Sequence, residues 1–125
     1  MKITKTPVGY QNILHLTTGE DCCEAGSRIP AVFLNSMDGK PFLQAPIAMT
    51  RDQIYKDITL EMNKQYSVEL VQAAGFYSIK INGQQVWRVN SGSAKFQNVK
   101  YYGSDPWYPS AGEVAILSTI RIQQG

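Results

Sequence analysis

The chain has 125 residues, 43% of them hydrophobic, and a net charge of +2 from 12 basic and 10 acidic residues. That length fits one domain over residues 1–125, and the hydrophobic content supplies a real core and excludes wholesale disorder. The basic residues are scattered rather than gathered into a stripe, so no nucleic-acid footprint is expected, and no apolar stretch approaches the roughly 20 residues of a membrane span.

The opening Met1–Lys5 lacks the apolar centre of a signal peptide, which fits an intracellular chain or a mature form of a secreted one. From there the pattern reads as β-strand almost throughout. Asn12–Thr18 places Leu14 and Leu16 on one face, with His15 opposite them as a surface or semi-buried residue. Arg28–Asn35 carries Ile29, Val32, Phe33 and Leu34, and Pro30 suits a strand start or edge because it cannot donate to a ladder. Pro41–Asp52 reads as a strand flanked by loops. Tyr55–Met62 alternates cleanly, Ile58, Leu60 and Met62 against Asp57, Thr59 and Glu61, and Tyr66–Gln72 repeats the pattern. Val114–Gln123 closes the chain with Val114, Ile116, Ile120 and Ile122 in phase. Asp38-Gly39, Asn63-Lys64, Ala74-Gly75, Asn82-Gly83 and Ser91-Gly92 are the turns. Short strands punctuated this often argue an antiparallel β-sandwich or a barrel.

Asn82-Gly83 between two apolar runs is a strong hairpin signal, because both turn residues must take positive φ. A two-residue turn pairs Ile81 with Gln84, Ile79 with Val86 and Tyr77 with Arg88 on the more apolar face. The other face pairs Lys80 with Gln85, Ser78 with Trp87 and Phe76 with Val89, which sets Trp87 on a mixed surface as a platform for a sugar ring. The plain alternative is that Trp87 is ordinary core, since a one-residue slip exchanges the faces.

Lys95–Tyr108 is a short strand-like run ending in Asp-Pro-Trp-Tyr. Pro106 holds Asp105 in an extended or turn conformation, and the Asp105 carboxylate suits a turn cap. A functional reading places Asp105 and Asn98 on sugar hydroxyls and Trp107 or Tyr108 against the apolar face of the ring. Tyr101, Tyr102, Trp107 and Tyr108 give this end an aromatic density that a bare scaffold does not need.

Gly26–Leu34 (GSRIPAVFL), the ING hairpin and Asn98–Tyr108 (NVKYYGSDPWY) together resemble a laminin-G-like domain of the concanavalin A-like lectin and glucanase superfamily, over roughly Tyr10–Ile122. The resemblance implies an all-β jelly roll of two antiparallel sheets. It implies a non-enzymatic recognition role toward a glycan or glycoprotein in an extracellular, adhesive setting. A structural or adhesive module that binds proteins or a second copy of itself is the alternative.

Catalysis is not expected. Glycanases of that superfamily need two carboxylates a few ångströms apart, whereas Asp57 and Glu61, the nearest pair on one strand face, are about 13 Å apart at strand rise. The single histidine, His15, has no serine motif beside it. Cys22 and Cys23 are the only cysteines and are adjacent, so free thiols or a bridge between chains are expected ahead of a bond to each other. Calcium is a possible cofactor, with Asp21 and Glu24 as candidate ligands, but the loop lacks calcium-loop spacing and also reads as plain solvated charge.

Overall fold

The computed structural model describes residues 1–73, 75–92, 94–117 and 120–124. Ala74 of one expected turn, and Ser118 and Thr119 within the expected closing strand, lie outside the described residues. The fold is all-β, with two main sheets facing each other across one core.

The first sheet contains β2 (Gln11–Thr17), β3 (Ala31–Met37), β4 (Lys40–Gln44), β5 (Asp57–Thr59) and β9 (Lys100–Tyr102), in the antiparallel order β5-β4-β3-β2-β9. The second contains β6 (Val68–Ala73), β7 (Gly75–Ile81), β8 (Gln84–Gly92) and β11 (Ile120–Gln124), in the order β11-β6-β7-β8. β6, β7 and β8 pair antiparallel, whereas β11 lies parallel to β6. A small ribbon of β1 (Lys2–Ile3) and β10 (Ala115–Ile116) closes one end, next to a 3₁₀ turn at Ala111–Glu113 whose Gly112 amide is capped by the Ser110 hydroxyl.

Alternation explains the core. Leu14, Val32, Leu34 and Leu43 face inward from the first sheet and meet Val68, Leu70, Tyr77 and Ile79 of the second. Tyr77 spans the gap, its hydroxyl donating to the Ala45 carbonyl at 2.9 Å, so a buried phenol is satisfied without disturbing the apolar layer. The closing segment departs from expectation: it divides into β10 and β11, and Ile116 is largely exposed.

Asn82 and Gly83 both have positive φ (52° and 81°), as the hairpin motif requires. The pairing, however, keeps the expected register only for Ile81–Gln84 and Lys80–Gln85. A bulge at Val86 then pairs Ile79 with Trp87, Ser78 with Arg88 and Tyr77 with Val89, in place of the expected Ser78–Trp87 and Phe76–Val89 pairs. One extra residue flips the face of everything after it. Trp87 therefore turns toward the core, with its ring edge-on to Tyr77 at 5.9 Å.

Candidate functional site

The outer face of the five-stranded sheet, which a simple sandwich leaves to solvent, is here roofed by loops. His15, Phe33 and Gln44 point to this face, opposite the leucines of the core, and all three are buried. The run Ala31–Leu34 is apolar on both faces, and that was the available sequence signal for a covered outer surface.

His15, expected at or near the surface, has 0% exposure. Its Nδ1 lies 2.7 Å from Asp105 Oδ2 and its Nε2 lies 2.6 Å from the Ser27 carbonyl oxygen. Each ring nitrogen therefore faces an acceptor oxygen. Asp105 Oδ1 accepts from the Trp107 and Tyr108 amides at 3.1 and 3.0 Å, the turn cap anticipated from the Asp-Pro-Trp-Tyr motif. The Asp105 amide donates to Asn12 Oδ1 at 2.9 Å, and the buried Asn12 amide nitrogen bonds to the Leu14 and Val32 carbonyls. A polar chain thus ties the Asp105–Tyr108 loop to strands β2 and β3. It leaves neither oxygen of Asp105 open to a ligand.

The loop held this way helps to build a cleft of about 170 Å³ on the roofed face. Phe33 and Gln44 form its floor, with Tyr10, Tyr55 and Tyr108 around it and Arg28 and Gln53 at one side. Phe33 meets Tyr108 edge-on at 4.9 Å and Tyr10 at 5.7 Å. The Arg28 guanidinium lies 5.2 Å from the centre of the Phe33 ring. Its Nη1 donates to Gln53 Oε1 at 2.9 Å, and its Nη2 donates to Tyr108 Oη at 3.2 Å and to Asp21 Oδ1 at 3.3 Å. The Tyr108 hydroxyl in turn donates to Asp21 Oδ2 at 3.0 Å. Burial, then this hydrogen bond, pushes the Tyr108 phenol above its ordinary value, with Arg28 opposing. Gln44 donates through Nε2 to Asp57 Oδ1 at 2.7 Å and to the Tyr10 hydroxyl at 3.4 Å.

Of the residues singled out in the sequence, Tyr108 lines this cleft and Asp105 positions it. Trp107 lies next door, 39% exposed, with its ring 5.4 Å from His15 and 5.6 Å from Tyr102. Asn98 is exposed in the loop before β9 with φ of 57°, and Trp87 belongs to the other sheet. The other lining residues, Tyr10, Arg28 and Phe33, Gln44, and Gln53 and Tyr55, come from four stretches of the chain that no single local motif links.

Cys22 and Cys23 are bonded to each other rather than free or paired between chains. The pair sits in a loop anchored on both sides: Asp21 is bonded to Arg28 and Tyr108, and the Ser27 hydroxyl donates to the Glu24 carbonyl. Ligand atoms of His15, Asp21 and Asp105 come within 4.8 Å of one another. Each already serves a protein partner, and the Arg28 guanidinium stands on Asp21, so a cation there would have to displace a buried pair and meet a positive charge. Glu24 points elsewhere, 3.9 Å from Arg51 at the surface. Among the described residues no helix is long and apolar enough to cross a membrane.

No protein-family model, curated protein or solved structure matches this chain.

Proposed function

We propose that this domain is a non-enzymatic carbohydrate-recognition module of the laminin-G-like, concanavalin A-like kind, acting outside the cell on a glycan or glycoprotein. The observation that carries the reading is the cleft over Phe33, where tyrosine rings stand beside amides with unused hydrogen-bonding capacity. Sugar rings are recognised by that combination, an apolar face against an aromatic ring and hydroxyls against short polar groups. Gln44 Oε1 and Gln53 Nε2 have no partner among the described residues, since their amides are engaged only through Gln44 Nε2 and Gln53 Oε1. At about 170 Å³ the cleft is smaller than the roughly 300 Å³ at the low end of drug-sized sites, which suits one terminal sugar.

A glycan array, run with and without calcium, tests this on the wild type beside Gln44→Leu and Tyr55→Ala. Binding that both variants lose while keeping the wild-type melting temperature supports the cleft as the site. Silence from the wild type at high protein concentration sinks the reading.

A second reading, a self-assembling adhesive module, draws on the 65% exposed Tyr101 at the rim of a gap between the sheets, lined by Leu14, Leu16, Ile120 and Ile122. A second copy of the chain is the occupant it requires. A strict monomer in light scattering at high concentration removes it.

A further inference from the structure

The cleft contains a buried arginine, and the disposition of that charge bears on which class of glycan can enter. Resting on the carbohydrate reading above, we propose that the cleft takes a neutral saccharide and that Asp21 is the residue that determines this.

A guanidinium has five N–H donors in a planar fork, and it recognises carboxylate or sulfate by presenting two of them side by side. In Arg28 the fork is already spent. Its Nε donates to the Asp21 carbonyl at 3.0 Å, Nη2 divides between Asp21 Oδ1 and Tyr108 Oη, and Nη1 donates to Gln53 Oε1. One N–H on Nη1 remains, enough for a single bond to a hydroxyl and too little for a bidentate anion site. The charge is cancelled as well, because the Asp21 carboxylate sits 3.3 Å from Nη2 with the arginine side chain only 9% exposed. Arg28 is the sole cationic group among the residues that line the cleft. At the floor, Asp57, which does not itself line the cleft, accepts from Gln44 Nε2 so that Oε1 is the open acceptor, and it adds a negative charge nearby.

An anionic sugar entering this cleft loses water without gaining an unpaired cation, which is unfavourable. A neutral ring meets open donors on Arg28 and Gln53 and an open acceptor on Gln44, matched to hydroxyls that both donate and accept. Asp21 does this from behind the wall: it grips Arg28 and Tyr108, both of which face the cleft, without lining the cleft itself.

The test compares neutral oligosaccharides with uronate-bearing and sulfated ones on an array, followed by calorimetry on the best of each, for the wild type, Asp21→Asn and the double variant Asp21→Asn, Arg28→Gln. The wild type should favour the neutral class by at least about tenfold. Asp21→Asn keeps an oxygen toward Tyr108 but frees the arginine charge, so it should gain about tenfold toward anionic glycans and lose that gain at high salt. Adding Arg28→Gln should cancel the gain. A wild type that prefers anionic glycans, or an Asp21→Asn variant with unchanged preference, overturns the inference and leaves the carbohydrate reading standing. A wild type that binds neither class overturns both. The wild-type comparison needs no variant, so a poorly folding Asp21→Asn protein does not rescue the idea.

Discussion

Replacing Asp105 probes the network that seats the aromatic loop. The carboxylate makes three hydrogen bonds in a fully buried setting: to His15 Nδ1 at 2.7 Å, to the Trp107 amide at 3.1 Å and to the Tyr108 amide at 3.0 Å. Asp105→Ala removes all three, strands the imidazole without its partner and orphans two amides. Breaking a buried pair from one side costs about 3–5 kcal/mol, which in a domain of this size lowers the melting temperature by about 12–20 °C at about 4 °C per kcal/mol. Asp105→Asn behaves differently. Its oxygen still accepts from the Trp107 and Tyr108 amides, and its NH₂ donates to a neutral His15 whose Nε2–H remains on the Ser27 carbonyl. The expected cost is that of weakening a charge-assisted bond to a neutral one, about 1–2 kcal/mol. Thermal melts followed by circular dichroism, with urea titrations to check that m is unchanged, measure both. An alanine variant within 1 kcal/mol of wild type, or an asparagine variant as damaged as the alanine one, would refute the argument that this pair holds the loop.

Three further outcomes follow from other parts of the molecule. Gly26 has φ of +84°, and a Cβ there would lie 2.9 Å from the Phe96 ring and from Thr18 Cγ2, whereas Gly39 (φ +78°) has open space around it. Gly26→Ala should therefore cost at least about 1 kcal/mol more than Gly39→Ala in the same melts, since both share the backbone strain and only one adds a clash. For Tyr108, the neutral phenol is the favoured form in the fold, so its stabilisation is complete below the ordinary tyrosine value near 10 and is lost as pH rises through the raised folded value. Unfolding free energy should fall more steeply above about pH 10 for the wild type than for Tyr108→Phe, and equal slopes would contradict this. The Cys22–Cys23 bond closes a ring between adjacent residues, which restrains the unfolded chain by only about 1 kcal/mol. A double Cys22→Ser, Cys23→Ser variant should melt within about 5 °C of wild type, and the intact protein should take up no alkylating reagent until reduced.

The β-class and the core were legible in the sequence because strand alternation has a period of two and needs no knowledge of distant residues. Val68, Leu70 and Ile79 could be assigned to the interior on that basis, and Asn82-Gly83 specified its own turn geometry through positive φ. The cap by Asp105 was likewise legible, because a carboxylate followed by proline acts on amides two and three residues ahead. Three features were decided only in three dimensions. The bulge at Val86 is one residue long, too small to disturb the apolar pattern of Gln84–Gly92, yet it determines which face Trp87 occupies. His15 does point away from the leucines, as alternation requires, but the loops that bury it and supply Asp105 and Ser27 come from 90 and 12 residues away. The cleft is the extreme case: its floor is a strand pair, its rings come from three loops, and the acid that neutralises its arginine stands behind it. Local periodicity reports the direction in which a side chain leaves the backbone, while tertiary packing alone determines what meets it there.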